Sequence, residues 1–168
     1  MKDLKEIIKL ISKDDNCKVF KPNPKLIIKR KIPKDLDLFF KLTNGINLFE
    51  NEPFGIEIIG KENFISTNEY LYPKDDVIWE ELEGDITNNW FLIAKSEELS
   101  QYISIDLTDN KNGNCYDSFL DTHGEEGLSE IVANNFTELL WNLYKSKGKG
   151  ESWYWIKKEF EKIGDAFD

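Results

Sequence analysis

His123 is the only imidazole in a chain of 168 residues. It lies in DTHGEEG, with Asp121 and Glu126 nearby, three groups of the kind that bind divalent metals or move protons. A glycine-containing acidic loop suits a solvated turn better than a ligand set, so the expectation is a turn residue and no metal. With one histidine, a Ser-His-Asp triad or a histidine-rich metal site would need unusual substitutions. The segment DLTDNKNGN has the outline of a calcium loop. Setting Gly113 at the sixth position, however, puts Thr108 first and Phe119 twelfth, where a bidentate Glu is required. Asn112-Gly113 reads instead as a hairpin turn. Glu80/Glu81 and Glu125/Glu126 have the composition of an acid/base couple, yet 32 acids in 168 residues create such neighbours by abundance. No phosphate-cradling GxxxxGK[ST], GxGxxG or nucleophile-elbow GxSxG occurs. Cys17 and Cys115 read as free thiols. The expectation is a protein that is not an enzyme and holds no metal or cofactor.

The net charge of -10 is unevenly spread. Residues 1–41 carry twelve Lys/Arg against six Asp/Glu, whereas from Glu62 to Tyr144 three lysines stand against 18 carboxylates. Such a field repels nucleic acid and anionic membrane and attracts a cationic partner. Within it, aromatics interleave with acids from Glu69 to Trp90. Tyr70, Tyr72, Asp75, Asp76, Trp79, Glu80, Glu81, Glu83 and Asp85 are the candidate partner-binding residues. Tyr and Trp serve as interface anchors, and the carboxylates would steer a basic protein toward them. No apolar run approaches the roughly 18 residues of a membrane span, and MKDLKEIIKLISKDD lacks the continuous apolar stretch of a signal peptide. Both features predict a cytoplasmic protein.

The elements that must position these residues follow from periodicity. Leu4, Ile7, Ile8 and Ile11 form a helical stripe. Residues 19–32, with two prolines followed by an aliphatic run, are compatible with either a short strand or a helical turn. Pro33 opens a second helix that buries Leu36, Phe39 and Phe40 and ends at Asn44-Gly45. INLF and FGIEIIG predict paired antiparallel strands across the turn ENEP. Ser66 to Glu69 fits a capping box, and KDDVIWEELEG fits a short helix capped by Asp75 or Asp76 and stopped by Gly84. WFLIAK, QYISIDL and NCYDSF predict a meander. Asn135 caps a helix whose face is Phe136, Leu139, Leu140, Leu143 and Tyr144, and SWYWIKKEFEKIGD predicts a last helix. The whole is a single α+β domain, residues 1–168, with a mostly antiparallel sheet between N-terminal and C-terminal helices.

The order of these segments resembles the SUKH superfamily, the Smi/Knr type of domain, over roughly residues 32–144. Its carriers are Pro33, Leu36, Phe39, Asn44 and Gly45, then Trp90, Ile93 and Ala94, then Tyr102, Ile105 and Asp106, and finally Ala133, Phe136, Glu138 and Leu139. The segment before Pro33 and the helical extension 150–168 depart from that pattern. The resemblance implies a binding role: an immunity protein that neutralises a cognate bacterial toxin, a basic nuclease being the case the acidic surface fits. The alternative it implies is a regulatory interaction module with another cellular protein. It carries over no catalytic residues.

Overall fold

The computed structural model describes residues 2–111, 113–150 and 163–168. Helix α1 (Leu4–Ile11) is set by a capping box: the Asp3 carboxylate accepts from the Glu6 amide at 2.9 Å, and the Glu6 carboxylate accepts from the Asp3 amide at 3.3 Å. Its predicted stripe is the face it buries, through Leu4, Ile7 and Ile11. Strand β1 (Cys17–Val19) follows, and then residues 20–33 cross the molecule without regular structure until Pro33 starts α2 (Lys34–Leu42). Two prolines deny that crossing a helix, while Ile28 and Ile32 tie it to the core.

Strands β2 (Ile46–Leu48) and β3 (Ile56–Ile58) form the predicted pair, with Ile46 opposite Ile58 and Leu48 opposite Ile56. Short helices α3 (Thr67–Leu71) and α4 (Ile78–Glu81) precede β4 (Trp90–Ser96), β5 (Gln101–Asp106) and β6 (Cys115–Asp117). Strand β7 (Ile131–Ala133) leads into α5 (Phe136–Ser146). The seven strands make one antiparallel sheet whose spatial order is the sequence order, β1 to β7. The predicted α+β architecture is the one observed.

One face of the sheet holds Ile103, Ile105 and Cys115 with the aliphatics of β2 and β3, and α1, α2 and α5 cover it. Phe39 and Phe136 meet there at 4.7 Å between ring centroids. An amide and a carboxylate set α5 on this layer. The Asn135 side chain accepts from the Glu138 amide, and Asp35 of α2 accepts from both the amide and the hydroxyl of Thr137, at 2.9 and 3.0 Å. The opposite face carries Trp90, Ser104, Asp106 and Tyr116, covered by α3, the 120–130 loop and the C-terminal residues. Ala166 packs on Trp90 and Tyr116, and its amide donates to Ser129 O at 2.9 Å. Most of the predicted last helix lies outside the described residues.

Several local expectations change. Asn44-Gly45 does not itself terminate α2, which is capped at Thr43. Instead it stitches three segments: Asn44 and Gly45 pair with Phe20 through the backbone, and the Asn44 side chain accepts from the Lys61 amide. Ser66 is the N-cap of α3 but its hydroxyl caps nothing. Asp76 does bond the Ile78 amide, at 3.0 Å, although Val77 occupies the N-cap. Strands β1 and β7 were not predicted.

Candidate functional site

The acidic, aromatic segment leaves the sheet after Ser66, forms α3 and α4, and returns at Trp90. Its turns are fixed by short-range bonds. Asp85 caps the 3-10 turn Ile86–Asn89 by accepting from the Thr87 amide at 2.8 Å and the Thr87 hydroxyl at 2.6 Å. The Trp79 indole donates to Pro73 O at 2.7 Å, which folds α4 back over the loop before it. Tyr72 meets Trp79 edge-on at 6.5 Å. Burial, together with the charges of Asp85, Asp76 and Glu125, raises the Tyr72 phenol above its ordinary range.

The structure thus brings Tyr72, Asp76, Trp79 and Asp85 together and adds Glu125, while Asp75, Glu80, Glu81 and Glu83 project into solvent. Val77, 77% exposed, stands among those acids. A cleft of about 420 Å³ beside Trp79 is lined also by Ile65, Glu69 and Lys74. Tyr70 lies elsewhere, in a cluster with Tyr102, Lys95 and Glu97. Its hydroxyl donates to Glu97, and Lys95 reaches both groups at 3.2 and 3.0 Å. Tyr70, Lys95 and Tyr102 together hold the Glu97 carboxyl below its usual range. Trp90, grouped with these aromatics by sequence, is fully buried and faces Tyr116 at 4.5 Å.

Reading the sequence alone missed a second set of acids. Glu50, Glu52, Glu57, Glu97 and Glu98 line one pocket of about 310 Å³ between the β2–β3 turn and the end of β4. The turns ENEP and SEEL are each legible as acidic, but only the pairing of Glu57 with Lys95 across β3 and β4 makes them neighbours.

His123 is not a solvated turn residue. It is 8% exposed, its ring packs against Trp90 and Tyr72, and its Nε2 lies 2.8 Å from Asn68 Oδ1. Asn68 Nδ2 donates to Thr87 Oγ1, so Asn68 Oδ1 must accept and His123 Nε2 must donate. The resulting chain runs His123, Asn68, Thr87, Asp85. Burial pushes the imidazole pKa down to about 4, so the ring is neutral at pH 7. No group of three or more His, Cys, Asp or Glu among the described residues could hold a metal. Burial raises the Cys115 thiol well above its ordinary value, which leaves it protonated and poorly nucleophilic. Asp106, the acid that opens DLTDNKNGN, is engaged by Thr108 and by the Tyr116 hydroxyl, and Gly113 takes a φ of +102° in the β5–β6 hairpin. No helix among the described residues is long and apolar enough to cross a membrane.

The fold and its surfaces define an α+β scaffold of sequential antiparallel strands, with aromatics and carboxylates gathered on the segment between β3 and β4. The chain belongs to the SMI1 / KNR4 family (SUKH-1), whose model matches residues 26–142. It is 33% identical over 164 residues to the Immunity protein YokJ of Bacillus subtilis (strain 168), an alignment covering 96% of this chain and 94% of that protein. No solved structure matches the chain.

Proposed function

We propose that this chain is an immunity protein that binds and neutralises a cognate toxin domain, acting in the cytoplasm without chemistry of its own. The observation that carries the reading is the 33% identity to an immunity protein along almost the full length of both chains. The binding surface in this reading is Tyr70, Tyr72, Asp75, Asp76, Trp79, Glu80, Glu81, Glu83 and Asp85. Trp79 and Tyr72 supply the half-buried aromatic centre, and the projecting carboxylates supply attraction to a basic partner such as a nuclease. Asp85 and Tyr70 already hold internal partners, so their part is to fix the shape of this surface rather than to anchor the toxin. The whole of residues 1–168 acts as one unit, consistent with the docking of Ala166 on the sheet.

The test is co-expression with the toxin domain encoded beside the gene, scoring survival and co-purification. Protection together with a stable complex is the expected result. Growth arrest with no complex removes the proposal.

A further inference from the structure

One mostly exposed segment of this acidic protein is purely cationic. From Asn16 to Lys34 there are seven Lys/Arg and no Asp or Glu, in a chain of net charge -10. Most of that run is the irregular crossing between β1 and α2, and it is anchored along its length. Phe20 is paired to Asn44 and Gly45. Lys61 Nζ donates to Asn23 O and Leu26 O at 3.3 and 3.2 Å. The Arg30 guanidinium lies 4.2 Å over the Phe91 ring, and Ile28 and Ile32 pack on the core. Between these anchors, Leu26 and Ile27 turn outward, 37% and 80% exposed. They help to line a groove of about 520 Å³ together with Pro24, Phe40, Arg30 and Lys61. Asp37, a carboxylate in the lining, is paired with Lys41 at 2.6 Å and so adds little repulsion.

We propose that this groove docks an acidic protein segment carrying aliphatic side chains, at a surface separate from the acidic one assigned above. The proposal does not rest on the immunity reading. Charge complementarity selects the partner: Lys25 and Lys29 flank Ile27, so a segment placing an aliphatic group on Leu26 and Ile27 brings its own carboxylates to the lysines. The anchored backbone spares much of the ordering cost that a free loop would incur on binding. Nucleic acid fits less well. Base stacking needs open aromatic faces, but Phe91 is covered by Arg30, Phe20 faces Lys18 at 4.9 Å, and Phe40 is buried. The strongly negative remainder of the molecule also repels a polyphosphate.

The experiment titrates the isotope-labelled chain with the 12-residue peptide (Glu-Glu-Leu-Glu)₃ at about 50 mM salt, following backbone amide shifts by NMR. Saturable shifts confined to residues 22–32, α2 and Lys61 are expected, weakened at least about fivefold in K25S/K29S and in I27S, and lost at about 0.5 M salt. A version of the peptide with Ser in place of Leu should bind more weakly. The proposal is overturned by an absence of shifts, by shifts elsewhere, or by variants that bind as the parent does. Equal binding of a dodecathymidylate would show a general polyanion site, and concentration-dependent shifts without peptide would show self-association; either overturns it too. Preserved amide dispersion outside the groove checks that the variants fold. Because no toxin is used, failure here leaves the immunity reading untouched.

Discussion

His123, buried, and Asp117, half-buried, are ionisable groups that pull stability in opposite directions as pH changes. For His123 the folded pKa, about 4, lies below the unfolded 6.5, so in that window the unfolded chain binds the extra proton and stability rises with pH. For Asp117 burial raises the carboxyl to about 6 from 3.8, so the folded chain binds the extra proton and stability falls as pH rises through that window. At about 1.4 kcal/mol per unit, each contributes up to about 3 kcal/mol, and between pH 4 and 6 the two nearly cancel. Urea unfolding at pH 4.5 and 6.5 should expose them separately: D117N steepens the rise with pH and stabilises the protein at pH 7, whereas H123Q leaves a net fall. Equal slopes in the two variants would contradict the assignment. Neither environment was legible in the sequence. The partners of His123 are Asn68, Trp90 and Tyr72, up to 55 residues away, and only folding brings them to the imidazole.

At the scale of elements, sequence and structure agree wherever a side-chain pattern and a local stop signal coincide. The faces of α1, α2 and α5, the β2–β3 pair and the β5–β6 hairpin all meet that condition. Strands β1 and β7 do not, because long connections rather than short turns join β1 to β2 and β6 to β7, and their strand character comes from pairing with Ile46–Leu48 and with β6. Long-range joins between elements were equally hidden. Asp35, legible only as an acid near the start of α2, reaches Thr137 on α5. D35A should therefore cost about 1–2 kcal/mol in unfolding free energy, measured by urea denaturation, by removing a cap and separating two helices. Gly45 has a φ of +100°, and a Cβ there would meet Ile58 O at 2.8 Å. G45A should lose about 1–3 kcal/mol, and G84A less, about 1 kcal/mol, because its site is open and only the strain of its positive φ of +78° remains.

For the molecule as a whole, the separation of charge was readable from residue counts, but the grouping of carboxylates into surfaces was not. Glu50 and Glu52 join Glu97 and Glu98 only through strand pairing, and Trp90 leaves the aromatic set because its place in β4 turns it into the core. An exposed ion pair contributes about 0–1 kcal/mol, so the acids between α3 and β4 should act on encounter more than on the lifetime of a complex. E80K/E81K/E83K is expected to slow association with a basic toxin by about tenfold or more at low salt while changing dissociation little, as read by stopped-flow. An unchanged association rate would place the interface elsewhere.

The strand order has a further consequence for how the protein comes into being. Every strand pairs with the one made just before it, so the sheet can lengthen strand by strand while the polypeptide is still being synthesised. The seam between the segment after α1 and the end of α5 lies outside that pattern. Asp14, just past α1, is held by the Tyr144 hydroxyl and by Lys147 at 3.2 and 3.0 Å, across separations of 130 and 133 residues. Helix α1 can pack on β1 early, but its contact with α5 forms only after the intervening residues have been made. Part of the Leu4, Ile7 and Ile11 face therefore stays open during synthesis, a stretch that a chaperone would protect.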